Sequence, residues 1–270
     1  MKRLLITGAG GFIGSRAVQP AIDAGYEVHT LRRSQADLLD PDQTARALDE
    51  IEPTHLLHFA WYVAPNDYWT SPLNDAWADA SARLFRLFAE RGGRRIVGIG
   101  TSAEYDSLHT PYGRAKLRAY EAAMSAGVPA AWGRLYLVYG PGEPHQRFVP
   151  TMIRTLLQGG SATCSPADAR RDFIHVADAA AAAVAVLASD IEGAVNIGSG
   201  EAASLREVVS VLSNELGHEE RIAFDSGHPT PPVVADVTRL RDEVGFRPRF
   251  TLAAGMRDSI DWWRRALRND

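Results

Sequence analysis

The sequence predicts an α/β fold: a doubly wound parallel sheet followed by a smaller C-terminal lobe. Three observations predict it. Strand-like apolar runs alternate with longer helical patterns through the first half, the rhythm of a parallel sheet covered on both faces. The first apolar run, Leu4–Thr7, breaks into Gly8, Gly10, Gly11 and Gly14, then resumes with helical spacing at Ile13, Val18 and Ile22. A strand, a glycine turn and a helix start in that order form the phosphate-binding corner of a Rossmann-type sheet. After about Gly140 the rhythm loosens into helical patterns separated by short strands.

The elements follow in order. Lys2–Thr7 reads as the first strand and Phe12–Ala24 as a helix, in which Pro20 should remove a hydrogen bond and bend the axis. Glu27–Leu31 is a strand, Pro41–Glu50 a helix and His55–Phe59 a strand. Ser71–Glu90 is a long helix rich in Ala, Leu and Phe; Arg94–Gly98, Tyr112–Ala126 and Ala130–Leu135 are strand, helix and strand. Further helices are expected at Phe148–Gln158, Val176–Ala188, Ser204–Leu216 and Leu252–Leu267, with short strands at Ala194–Ile197 and Arg221–Phe224. Pro229, Pro231 and Pro232 mark an exposed turn. We expect a nucleotide-binding domain over 1–145 and a smaller substrate lobe over 146–270, with some segments returning to the sheet.

Composition narrows the function classes. The formal net charge of -4 gives no general attraction to nucleic acid or to an anionic membrane. No apolar run approaches the roughly 20 residues needed to span a bilayer. Met1-Lys2-Arg3 leads straight into the first strand, which leaves no room for a signal peptide, so a cytoplasmic protein is expected. Cys164 is the one cysteine and reads as a small packed thiol. The cysteine and histidine spacings offer no metal cage.

The glycine corner works through access. Without Cβ atoms, Gly8 and Gly11 let a pyrophosphate approach the backbone, and Gly14 lets the helix pack close on the strand. Free N–H groups and the positive helix end then face the phosphates. The tip of the second strand selects the dinucleotide. An NAD site places a carboxylate about 20 residues past the glycines, on the ribose 2′-hydroxyl. Here the strand ends in Arg32-Arg33. Two guanidiniums suit a 2′-phosphate and point to NADP, with NAD second; a solvated arginine pair is the alternative. Asp37-Leu38 follows and places a carboxylate near the adenine amino group, or else caps the helix that begins at Pro41.

Tyr112-Gly113-Arg114-Ala115-Lys116 is the second informative stretch. Residues four apart share a helix face, so phenol and ammonium converge. A free tyrosine has a pKa near 10, and a neighbouring Lys⁺ lowers it. Tyr112 then becomes a proton donor or acceptor near neutral pH. Upstream, the strand Arg94–Gly98 runs into Gly100-Thr101-Ser102, and a hydroxyl at the carboxyl end of a parallel strand faces the ligand crevice. Ser102 or Thr101 is thus placed to hydrogen-bond a substrate carbonyl. Glu104 is close enough in sequence to reach that crevice, but reads as a surface carboxylate.

With the glycine corner, a Ser/Thr strand end and Y-x-x-x-K in this order, the chain resembles the extended short-chain dehydrogenases/reductases, the NAD(P)-dependent epimerase/dehydratase family acting on nucleotide sugars. Thr7–Gly14, including Phe12 and Ile13, looks like that family's cofactor turn, and His58-Phe59-Ala60-Trp61 like its third-strand motif. Thr101-Ser102-Ala103 resembles the catalytic serine segment, with Ser102 in the catalytic place. Arg134 with Tyr139-Gly140-Pro141-Gly142 resembles the stretch after the fifth strand, and Asn196-Ile197-Gly198 also fits. Arg171-Asp172-Phe173-Ile174-His175-Val176-Ala177-Asp178 is similar to the family's R-D-F-x-x-V-x-D stretch, whose Arg commonly contacts the nucleotide-sugar diphosphate; a salt bridge from Arg171 to Asp172 or Asp178 ranks below that. The resemblance implies cofactor contacts at the glycine corner, Arg32, Arg33, Asp37, Leu38, Phe59, Ala60, Tyr112 and Lys116. It implies catalysis by Ser102, Tyr112 and Lys116, and substrate contacts at Ser102, Ala103 and Arg171. It also implies a homodimer through the helices Ser71–Glu90 and Tyr112–Ala126, whose Trp77, Leu84, Phe85 and Phe88 spread over more than one face. Trp262-Trp263 reads as core and rim rather than a sugar platform.

Departures from the family pattern refine the expectation. Dehydratases carry Asp-Glu directly after the active-site Thr, where Ser102-Ala103 stands here, so the acid and base that eliminate water are missing. Epimerases show an acidic ribose contact, where Arg32 stands. An Asn commonly found three residues after the fifth-strand Arg is Leu137. The stretch from Ser102 to Tyr112 is short, which leaves the crevice more open or marks the loss of a substrate-covering loop. Reduction of a nucleotide-linked keto-sugar by NADPH is the expectation. An epimerase with permanently held NAD is the alternative, followed by an NADP-binding sensor without chemistry.

Overall fold

The computed structural model describes residues 2–65, 67–228 and 230–269; Met1 and Pro229, named above, lie outside them. In chain order the elements are β1 (Arg3–Thr7), α1 (Gly14–Asp23), β2 (Glu27–Leu31), α2 (Pro41–Ile51), β3 (His55–His58), α3 (Leu73–Glu90), β4 (Arg95–Thr101), α4 (Ala103–Asp106), α5 (Pro111–Met124) and β5 (Ala130–Leu135). There follow β6 (Leu137–Tyr139), α6 (Phe148–Leu157), β7 (Ala162–Cys164), β8 (Arg170–His175), α7 (Val176–Ala188), β9 (Gly193–Ile197), β10 (Ala202–Ser204), α8 (Leu205–Leu216), β11 (Ile222–Phe224), α9 (Thr238–Asp242) and α10 (Leu252–Asn269). The chain forms two compact units. One comprises Met1–Leu135, Ala180–Ile197 and Thr238–Phe246; the other comprises Tyr136–Ala179, Gly198–Val237 and Arg247–Asp270.

The first unit holds a six-stranded parallel sheet in the order β2-β1-β3-β4-β5-β9. The expected α/β, doubly wound class is what forms. The usual order carries one more strand outside β2. Here only nine residues separate β2 from α2, too few for another crossover, and β2 is the edge. A groove of about 520 Å³ runs along that edge, lined by Val28–Leu31 and by Gln43, Arg46 and Glu50 of α2. The core beneath the sheet gathers Leu5, Leu56, Ile96 and Trp132 with Leu84, Phe85 and Phe88 of α3 and Ala119 and Ala123 of α5. Gly98 and Gly133 keep the middle strands thin; a Cβ on Gly98 would fall inside the Trp132 ring. Leu84, Phe85 and Phe88 are therefore core residues of one chain, at 1% exposure or less. They offer nothing to a partner, and that part of the homodimer expectation is withdrawn.

The second unit contains the β10-β8-β6 and β11-β7 sheets around Tyr139, Ile153, Phe173, Val208, Leu212 and Ile260. Trp263 is buried and Trp262 packs edge-on to it, as core and rim. Cys164 is a buried free thiol. The β8 strand was read only as a motif, because its leading Arg170-Arg171-Asp172 hides any apolar alternation. Among the described residues, no helix is long and apolar enough to cross a membrane.

Candidate active site

The register of the sheet gathers the motifs at one edge. Thr7 is level with Leu31 on one side and with His58 on the other. Gly8, Arg32 and Phe59-Ala60 thus leave three adjacent strands at their carboxyl ends, where such sheets bind ligands. The helix begins at Gly14, and Phe12 and Ile13 remain in the turn. Gly8 has φ +72, and a Cβ there would come 2.6 Å from the Ala60 nitrogen. A glycine is thus demanded here by the end of β3, a requirement that local sequence does not show. A Cβ on Gly14 would collide with the Gly8 carbonyl, whereas nothing lies within 4 Å of one on Gly10. No side chain caps α1 and no acid sits in its first turn. That uncapped positive end above an open glycine surface fits a dinucleotide diphosphate.

A buried chain of hydrogen bonds holds this turn to β3. Ser81 Oγ donates to the Trp77 carbonyl at 2.7 Å, so it accepts from His58 Nε2–H at 2.9 Å. His58 Nδ1 is then the acceptor for the Thr7 hydroxyl at 2.7 Å, and Thr7 Oγ1 accepts the Ala60 N–H at 3.4 Å. This network assigns the neutral Nε2–H tautomer. Burial, aided by the Lys116 charge, holds the His58 pKa down to about 3. The unfolded chain, with histidine near 6.5, takes up the proton first. His58 therefore stabilises the fold above pH 6.5, and that stability drains away as pH falls toward 3, by about 1.4 kcal/mol per pH unit. Urea unfolding at pH 7.5 and pH 5 should show this slope, and His58→Gln should flatten it. An equal slope in that variant would show that the proton goes elsewhere.

At the tip of β2, Arg33 pairs with Asp37 at 3.2 Å, and Asp37 also accepts the Leu39 N–H. The cap of α2 is Asp40, which accepts from Asp42 and Gln43, so Asp37 is not the helix cap. Leu38 packs into the core, its carbonyl accepting from Arg83. Arg32 is exposed, and its guanidinium has no partner among the described residues. The two arginines thus differ: Arg33 is held by a carboxylate, and the Arg32 guanidinium is not.

Ser102 lies at the start of α4, its N–H on the Leu135 carbonyl and its own carbonyl accepting from Tyr105 N–H. Ala103 is buried, with its N–H toward Thr101 Oγ1. Helix α5 starts with Thr110, whose hydroxyl accepts the Gly113 N–H, and with Pro111 at its first position. A Cβ on Gly113 would come 2.9 Å from the Ala103 carbonyl, so this glycine lets α5 sit against the Ser102–Ala103 turn. Its role went unread between Tyr112 and Lys116, although the letter was there. Tyr112 is buried, with Tyr68 and Trp69 edge-on at 5.0 and 5.4 Å. Lys116 is buried one turn on and donates to the Ile99 carbonyl at 2.8 Å. Burial pulls its pKa down to about 7, against the raising effect of the Glu104 charge.

Glu104 is not the surface carboxylate expected. Its side chain is fully buried and accepts from Arg134 Nε at 2.6 Å, Trp132 Nε1 at 2.9 Å and the Thr101 N–H at 2.8 Å. Arg134 also donates to the Tyr105 hydroxyl, which in turn donates to Asn196. Gly100 makes room, since a Cβ there would strike both the Glu104 carboxylate and the Trp132 ring. Arg171 belongs to the second unit. It makes no salt bridge with Asp172 or Asp178; its guanidinium donates to the Arg170 and Pro231 carbonyls. Asp172 instead accepts four bonds from Ser199, Gly200 and Ala235, and Asp178 accepts the Arg249 and Phe250 N–H groups.

The chain belongs to the NAD dependent epimerase/dehydratase family, whose model matches residues 4–198. It is 26% identical to the UDP-glucose 4-epimerase of Azospirillum brasilense, over 98% of this chain and 92% of that one. It is 23% identical to the GDP-6-deoxy-D-mannose reductase of Pseudomonas aeruginosa, over 100% and 99%. Among solved structures it is similar to MoeE5 in complex with UDP-glucose and NAD, with a TM-score of 0.83, 28% identity, and coverage of 98% and 99%.

Proposed function

We propose that this protein reduces a nucleotide-linked keto-sugar, of the 4-keto-6-deoxyhexose type, with NADPH. One observation carries the reading. Glu104 is locked in a buried network and Ala103 precedes it, so Tyr112 is left to move a single proton. A single proton matches ketone reduction; elimination of water needs an acid and a base. When bound, NADPH supplies the hydride. Tyr112 gives its proton to the ketone oxygen, Ser102 donates a hydrogen bond to the same oxygen, and Lys116 holds the ribose and lowers the Tyr112 pKa. Gly8 to Gly14 would receive the diphosphate, and Phe59-Ala60 would contact the cofactor from the end of β3. Arg171 holds the diphosphate of the nucleotide sugar. The Pseudomonas relative bears the name of a nucleotide deoxysugar reductase, and MoeE5 was seen with UDP-glucose. For the assembly we keep a homodimer, to be read from the mass in solution.

Arg32 is the cofactor test. A charge-assisted bond is worth about 1.5–3 kcal/mol, or about ten- to a hundredfold in affinity. Arg32→Ser should weaken NADPH by at least about tenfold and leave NADH nearly unchanged. Equal loss for both, or for neither, would remove Arg32 from recognition of the 2′-phosphate. Oxidation of NADPH with a panel of nucleotide keto-sugars tests the reaction itself. The likeness to a UDP-glucose 4-epimerase and to an NAD-bound structure favours the second reading, an epimerase that recycles one NAD. NAD retained through purification would support it; exchangeable NADPH supports the reductase.

A further inference from the structure

We propose that Trp61 is a positioning residue: its indole face, aimed by Asn74, seats the Lys116 ammonium one helical turn from Tyr112. The proposal rests on the roles given above to Tyr112 and Lys116. Lys116 Nζ lies 3.9 Å from the centroid of the Trp61 ring and 2.8 Å from the Ile99 carbonyl oxygen. The side chain is 5% exposed, and among the described residues no carboxylate pairs with it. A buried ammonium needs a compensating negative potential. The face of an indole supplies one and is strongest when water is excluded. The ring is held in place. Its Nε1–H donates to Asn74 Oδ1 at 3.0 Å. Asn74 is fully buried, and its amide donates to the Tyr68 and Ser71 carbonyls at 2.6 and 2.9 Å.

The same segment reaches the other half of the pair. Tyr68 and Trp69 pack edge-on against Tyr112, and the Tyr112 N–H donates to the Trp69 carbonyl at 3.3 Å. One loop, tied by Asn74, therefore touches both the phenol and the ammonium. The other charged or titratable groups facing Lys116 are Glu104 of α4 and His58 of β3, with Tyr112 on its own helix. Glu104 is engaged by Arg134, and His58 is neutral. That leaves the indole face, beside the Ile99 carbonyl, to compensate the ammonium.

The composition makes a direct test available. The chain has two lysines, Lys2 and Lys116, so protein labelled with carbon isotope at the lysine ε position gives two titrating side-chain signals. Losing the ring face should weaken proton binding by Lys116 about tenfold. We expect Trp61→Leu to lower the Lys116 midpoint by about one pH unit, with Trp61→Phe falling between. Turnover should fall about tenfold in Trp61→Leu, with KM for the sugar little changed, and Trp61→Phe should restore most of it. Fluorinated tryptophan, which weakens the ring face without altering its shape, should lower the Lys116 midpoint in the same direction even if Trp61→Leu fails to fold. A Lys116 midpoint indifferent to both ring fluorination and Trp61→Leu overturns the proposal. The titration needs no substrate, so a chain that reduces no keto-sugar but shows the shift would refute the function and leave the seat standing.

Discussion

Tyr112→Phe is expected to lower turnover by about 10²–10⁴-fold. NADPH binding should stay within about twofold, because the hydroxyl gains most in the transition state and contributes little to holding the dinucleotide. The expectation draws on packing as much as on chemistry. The Tyr112 ring is wedged edge-on between Tyr68 and Trp69, and phenylalanine keeps all of that contact. The loss is thus the hydroxyl alone, and the α5 start stays in place with Pro111 and the Thr110 cap. Steady-state turnover and cofactor titration by fluorescence give the two numbers. Full turnover in the variant would take Tyr112 out of proton transfer.

Glu104→Ala destabilises the protein by about 3–5 kcal/mol. The glutamate side chain is 0% exposed and that of Arg134 is 9% exposed, so the cation left behind has little water to turn to. Trp132 Nε1 and the Thr101 N–H lose their acceptor as well. Glu104→Gln should cost less, since an amide oxygen still accepts from Trp132, but it removes the charge opposite Arg134. Urea unfolding of both variants gives the comparison, and a double variant with Arg134→Leu should recover part of the loss, because no orphaned charge remains. A cost below about 1 kcal/mol for Glu104→Ala, ordinary for a surface substitution, would show that the pair does not hold the Ser102 turn.

Much of this site could be read from local spacing. The glycine corner, the Arg32 tip and Y-x-x-x-K are short-range patterns; the first two follow the carboxyl ends of β1 and β2, and the third opens α5. Glu104 was misread because its partners are distant in sequence: Trp132 and Arg134 lie about thirty residues on, one strand over, while its neighbours Tyr105-Asp106-Ser107 look like surface. The same limit hid the Gly8–Ala60 approach, which links the glycine turn to the end of β3. Helix α4 has four residues, too few for any periodicity to show. One signal was present and unused. Against 27 arginines the chain keeps two lysines, and one of them is Lys116. Lysine shifts its pKa readily when buried and arginine does not, so that scarcity marks the position.

The first unit is assembled from three stretches of chain, and this bears on how the protein can be divided. A fragment ending at Leu135 would keep every motif from Gly8 to Lys116 yet lack β9, leaving β5 as an open edge prone to pairing with other chains. It would also strip the buried Arg95 guanidinium of the Val186, Leu187 and Ile191 carbonyls that satisfy it. The first unit is therefore not a cassette that recombination or protein engineering can excise in one piece; a graft has to bring Ala180–Ile197 and Thr238–Phe246 along with it.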